Sequence, residues 1–147
     1  MAEFVIRPAS VEDDGSIRKL VRQAKINPTG LHWQRFLVAQ IPGNLVVGCG
    51  QVKTHGGDVR ELASIAVTPE FRGRGIARAI ILKLIESNNA PMYLMCRSSL
   101  GSFYEKFGFI SVPHDDMPAY FRRISTLARI FSILDNGGDT LLVMRRD

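Results

Sequence analysis

Three β-like runs separated only by tight-turn signals constrain this chain more than anything else in it. Phe36 to Ile41, Leu45 to Thr54 and Val59 to Val67 are rich in apolar and β-branched residues. Pro42-Gly43-Asn44 and Gly56-Gly57-Asp58 stand between them as turns. Connections this short leave no room for a helical crossover, so the three runs form an antiparallel meander. A purely parallel sheet is excluded.

The pattern on either side completes the outline. Phe4 to Arg7 reads as a first strand, stopped by Pro8. Ser10 then caps a helix carrying Ile17, Leu20, Val21 and Ala24 at helical spacing, and Asn27-Pro28-Thr29-Gly30 breaks it. Beyond the meander, Gly75 to Asn88 is helical and Met92 to Cys96 is a short apolar run suited to a buried strand. Ser99 caps a helix through Phe107, which Gly108 ends, and Phe109 to Val112 is another strand. Pro118 opens an amphipathic helix to about Leu134, with Tyr120, Ile124, Leu127, Phe131 and Leu134 expected on one face. A turn at Asn136-Gly137-Gly138-Asp139 leads into a last strand, Thr140 to Met144. The expected fold is α+β: a mixed, mostly antiparallel sheet of about seven strands flanked by helices. An extra helix precedes the last strand, and all 147 residues form a single domain.

Composition narrows the function. No apolar run approaches the roughly 20 residues that span a bilayer, and no basic stretch leads into an apolar one near Met1. A cytoplasmic protein without a membrane partner is expected. Cys49 and Cys96 read as core thiols, because no CxxC or metal-ligand spacing is present. His32, His55 and His114 are scattered, and no metal is expected. The net charge of +5 suggests an anionic partner. Its one dense cluster is Arg72, Arg74 and Arg78, which favours a local phosphate site over a nucleic-acid track.

Arg72 and Arg74 lie in Phe71-Arg72-Gly73-Arg74-Gly75-Ile76-Ala77, between a strand and a helix, and Arg78 follows directly. A helix N-terminus offers unpaired N–H groups and the positive end of its dipole. Gly73 and Gly75 let the backbone curl closely around a phosphate, and arginine adds charge in a bidentate fork. A Walker loop is excluded, since no Gly-Lys-Ser/Thr follows, and the dinucleotide fingerprint fails at Arg78, which occupies its third glycine position. Arg72-x-x-Gly75-x-Ala77 does resemble the Q/R-x-x-G-x-G/A motif of the GNAT (general-control-related) N-acetyltransferase superfamily. The preceding Ile65-Ala66-Val67-Thr68-Pro69 and the later Phe103-Tyr104-Glu105-Lys106-Phe107-Gly108-Phe109 are similar to that family's other signatures. The resemblance spans about residues 3 to 112.

The resemblance implies acetyl-CoA as acyl donor and a small-molecule or peptide amine as acceptor. It implies that the backbone of Arg72, Gly73, Arg74, Gly75, Ile76 and Ala77 holds the pyrophosphate. Ile65, Ala66 and Val67 would pair with the pantetheine arm as an added strand, and the Val67 amide would polarise the thioester carbonyl. Tyr104 would protonate the departing thiolate, and Glu61, placed by period-2 alternation on the face of Ala63, Ile65 and Val67, would serve as acceptor-side base. An exposed Glu61 paired with Arg60 is the plainer alternative. The chain departs from the family at Arg97, where relatives often carry an asparagine that contacts the cofactor and where the arginine or the hydroxyls of the following Ser98 and Ser99 would have to substitute, and in the long segment from Pro113 to Asp139. The helix in that segment would suit core packing or a homodimer contact, with an acceptor-site lid, a partner surface or a membrane-facing helix as the sharper alternatives. Asn27 to Trp33, with His32, and Tyr120 of the inserted segment are the expected acceptor wall. A non-catalytic acyl-CoA sensor with the same fold is the alternative function.

Overall fold

The computed structural model describes residues 3–88, 91–131 and 138–147. Seven strands lie in the order β1-β2-β3-β4-β5-β7-β6, forming a mixed, open sheet accompanied by four helices. The chain divides into two compact units, residues 1–53 with 62–89 and residues 54–61 with 90–147.

The first unit begins with β1 (Val5–Pro8), a 3-10 turn and helix α1 (Asp14–Ala24). Asp13 joins them. Its carboxylate accepts the Ser10 N–H at 2.8 Å and both arms of Arg7 at 2.8 and 3.0 Å, and the Arg7 bond holds its pKa below the ordinary value. Lys25 closes α1 in the left-handed region, φ 57°. The meander follows as β2 (Phe36–Ile41), β3 (Leu45–His55) and β4 (Val59–Val67). Its turns place Gly43, Asn44, Gly57 and Asp58 at positive φ, a conformation these residue types tolerate at low cost.

Alternation along β3 assigns the two faces of this part of the sheet. Cys49 points into a cluster with Ile17, Leu20, Val21, Val38 and Ala66, beneath α1. Its neighbours Gly48 and Gly50 point the other way, toward helix α2 (Ile76–Glu86). A Cβ at Gly48 would lie 2.8 Å from Ile76 Cγ2, and one at Gly50 2.6 Å from Ile65 Cδ1. The two glycines therefore let α2 settle directly onto β3, burying Ile76, Ile80, Ile81 and Leu84.

The second unit contains β5 (Met92–Arg97), α3 (Gly101–Glu105), β6 (Ile110–Ser111), α4 (Ala119–Phe131) and β7 (Leu141–Arg146). β7 pairs antiparallel with β5 from Met92↔Arg146 to Arg97↔Leu141, and with β6 at Ile110↔Arg145. Tyr93, Met117, Phe121 and Val143 form its core. The extra helix is present, but its buried face differs from the expected one. Met117, Phe121 and Ser125 are buried, whereas Leu127 is 49% exposed. Phe121, fully buried and stacked on Tyr93 at 5.2 Å, sets the rotation of α4 one position away from the Tyr120 stripe. Leu134 and the start of the turn at Asn136 lie outside the described residues.

Candidate active site

The glycine loop has the geometry its sequence implies. Thr68 is anchored by its N–H on the Val47 carbonyl at 2.8 Å, and Pro69–Phe71 make one 3-10 turn. Gly73 and Gly75 then take φ 77° and 82°, with open space where a side chain would begin. Gly75 is the N-cap of α2, and its carbonyl already receives the Ala79 N–H at 3.0 Å. The first-turn N–H groups that follow have no partner within the helix, which is what an anion needs. Arg72 donates its Nε to the Val67 carbonyl at 3.1 Å, so the loop folds back onto the end of β4. Arg74 lies over the Phe71 ring at 4.8 Å. Ile76 is buried as the hinge between loop and helix, and Ala77 follows half-buried.

Ile65 is half-buried, and Ala66 and Val67 are buried, at the end of β4. Just before them Ser64 sits at φ 60°, a left-handed conformation costly for a non-glycine residue within a strand. Gln51 Nε2 donates to Ser64 Oγ at 2.8 Å and holds the kink in place. The kink corrects the expected alternation: an uninterrupted two-residue period does not run from Glu61 to Val67. Nearby, the Asn27 to Trp33 segment is pinned through its backbone. Lys53 Nζ donates to the Thr29 carbonyl at 3.1 Å, and Arg35 and Gln51 both donate to that of Gly30.

Tyr104 lies on α3 in the second unit, half-buried and edge-on to Phe103 and Phe109. Burial pushes its phenol up to about 12, and Cys96 adds to the effect. It is therefore a protonated hydroxyl at any physiological pH. The start of α3 is held by Asp139, which accepts from Ser98 Oγ at 3.1 Å, Ser99 N–H at 3.0 Å and Ser99 Oγ at 3.0 Å. Both hydroxyls are thus committed to Asp139, and Arg97 before them is exposed.

Glu61 is neither exposed nor paired with Arg60. Its side chain is 5% exposed, and Oε1 lies 2.8 Å from His55 Nε2. The His55 ring stacks on Tyr120 with centroids 3.8 Å apart and meets Phe121 edge-on at 5.9 Å. The Tyr120 phenol is raised by burial first and by the Glu61 charge second. His55, scattered in the sequence, is the residue that the sequence reading missed. The signal was the hairpin turn at Gly56-Gly57-Asp58, which returns the chain beside the end of β3. Tyr120, expected as an acceptor-wall residue, stacks on this imidazole.

Among the described residues, no group of three or more His, Cys, Asp or Glu could hold a metal ion, and no helix is long and apolar enough to cross a membrane.

Comparison with known proteins identifies the fold and the family. No curated protein sequence matches the chain. Among solved structures, N-acetylglutamate synthase of Neisseria gonorrhoeae, crystallised with coenzyme A and N-acetyl-glutamate, superposes with a TM-score of 0.76 at 20% identity. The match covers 100% of this chain but 36% of that one, so this chain spans about a third of the synthase's length. Rv2747 of Mycobacterium tuberculosis, crystallised with coenzyme A, gives a TM-score of 0.70 at 23% identity and covers 95% and 97% of the two chains. A GNAT-family acetyltransferase of Staphylococcus aureus gives 0.70 at 17% identity, covering 97% and 98%. The family model described as an acetyltransferase (GNAT) domain matches residues 32–111, more than half of the chain and the whole stretch from the meander through the Tyr104 helix. The chain belongs to the GNAT acetyltransferase family.

Proposed function

We propose that the chain is an acetyl-CoA-dependent N-acetyltransferase that moves the acetyl group to a primary amine by direct attack. The observation that carries this reading is the pair of left-handed glycines leading into α2, with Gly75 as its cap, a phosphate cradle in a chain of this family. The backbone from Arg72 to Ala77 binds the pyrophosphate, and Ile65 to Val67 pair with the pantetheine. The Val67 N–H stabilises the oxyanion as the amine nitrogen bonds to the carbonyl carbon. The C–S bond then breaks, and Tyr104 gives its proton to the leaving sulfur. Burial keeps this phenol fully protonated beforehand, at about 12, so a proton is present to follow the electrons onto sulfur. Glu61 is the acceptor-side carboxylate that draws off the amine's proton, directly or by relay. Neither cysteine serves as nucleophile; burial raises the Cys49 thiol to about 12 and the Cys96 thiol to about 11. The Neisseria synthase was crystallised with N-acetyl-glutamate, so free amino acids are the first acceptors to screen.

Calorimetry with acetyl-CoA tests the donor half, and absence of binding at high micromolar concentration would sink the proposal. Tyr104→Phe tests the chemistry. Turnover should fall about 100-fold while acetyl-CoA affinity holds, the scale of a lost general acid. A sensor that binds acetyl-CoA without turning over any amine would be indifferent to that change.

A further inference from the structure

The acceptor-side carboxylate is sealed, and an imidazole stands in front of it. Glu61 keeps 5% of its side-chain surface exposed and His55 keeps 18%, so solvent meets the ring rather than the carboxylate. A carboxylate oxygen accepts and does not donate, so the 2.8 Å contact assigns the proton to His55 Nε2. In the neutral ring that leaves a lone pair on Nδ1, for which no protein partner occurs among the described residues. Tyr120 fixes the ring plane by stacking at 3.8 Å, and Phe121 closes its edge. The ring therefore has one defined orientation, and a neutral ring that donates to Glu61 turns Nδ1 outward as the acceptor.

We propose that His55 is the group that takes the proton from the acceptor's ammonium, with Glu61 as a positioning residue behind it and Tyr120 as its platform. This rests on the acetyl-transfer reading and specifies its base. An acceptor arriving as R–NH3+ gives one proton to Nδ1, and the imidazolium formed is stabilised by the Glu61 carboxylate. The neutral amine attacks the thioester carbon. The second proton, shed as the amide forms, replaces the one Tyr104 gives to sulfur, and His55 releases its own to solvent. The titratable groups facing His55 are Glu61 from β4 and Tyr120 from α4.

His55→Gln is the decisive variant, because its amide still donates to Glu61 but cannot take up a proton. With a mixture of the common amino acids and spermidine as probe amines, coenzyme A release should fall about 100-fold. The acid limb of the kcat/KM profile against pH should vanish, with acetyl-CoA affinity by calorimetry unchanged. Added imidazole should restore part of the rate to His55→Ala. Glu61→Gln should lose less than His55→Gln and keep a shifted acid limb. Full activity in His55→Gln, or a retained acid limb beside a deeper loss in Glu61→Gln, would overturn the proposal and make Glu61 the direct base. A wild-type chain that binds acetyl-CoA yet acetylates none of these amines overturns the acetyl-transfer reading, and this proposal with it. Should the variants lose their fold, the long-range proton–nitrogen NMR spectrum of the wild type still decides: an Nδ1–H tautomer at neutral pH refutes it.

Discussion

Gly75 holds φ 82° at the N-cap of α2 with nothing within 4 Å of its absent Cβ, so its role is conformational rather than steric. Alanine there would pay about 1–2 kcal/mol for the left-handed backbone, or would let the loop flatten. We expect Gly75→Ala to weaken acetyl-CoA binding by about tenfold, in line with that cost. Calorimetry, with urea unfolding as the control, is the measurement; unchanged affinity would remove the loop from the binding site. This glycine was legible in the sequence because the motif, its conformation and its neighbours all lie within a few residues. His55 was not, for the opposite reason. Nothing local marks it, and its meaning comes from Glu61 across a hairpin and from Tyr120 on a helix far along the chain. Ser64 was equally hidden, since its left-handed backbone is imposed from Gln51 on the neighbouring strand rather than by its own preference.

At the scale of elements, the contact between α2 and β3 depends on two missing side chains. Gly48→Ala would set a methyl 2.8 Å from Ile76 Cγ2, a branched atom that cannot swing aside, at the first residue of the helix that caps the loop. The expected cost is about 1–3 kcal/mol of stability, as for other overpacked cores. It should come with weaker acetyl-CoA binding, because α2 moves with its N-terminus. Urea denaturation and calorimetry on one variant read both effects, and a stable variant with full affinity would mean that α2 shifts freely. The elements themselves were legible: the meander, its turns and α2 follow from turn residues and apolar period. The face of α4 was not. Its sequence offers two apolar stripes one position apart, and only the fit of Phe121 against Tyr93 chooses between them.

At the scale of the molecule, two buried thiols and one half-buried phenol are held neutral beyond their ordinary range. Cys49 stands near 12 and Cys96 near 11 against 9.0, and Tyr104 near 12 against 10.0; burial is the leading cause for each. All three raised values act with the same sign. Below about pH 9 the groups are protonated in both folded and unfolded chains, and their contribution to stability is fully present. As pH rises, the unfolded chain ionises first, and the contribution is lost toward the folded values near 11 and 12. The thermal midpoint should therefore be flat near neutrality and fall steadily above about pH 9. Scanning calorimetry across that range checks it, and a flat midpoint up to about pH 11 would show that these groups ionise as freely in the folded chain.

The second unit is discontinuous: residues 54–61, the tip of the β3–β4 hairpin, belong with residues 90–147. This bears on how such a gene can be shuffled. A crossover near residue 90 between two diverged homologues would look harmless, since it falls between a helix and a strand. It would nevertheless give the progeny a histidine and glutamate from one parent and the tyrosine platform from the other. Recombinants would inherit the glycine loop intact and a mismatched histidine–tyrosine stack. The hairpin tip and α4 should therefore be exchanged as one cassette.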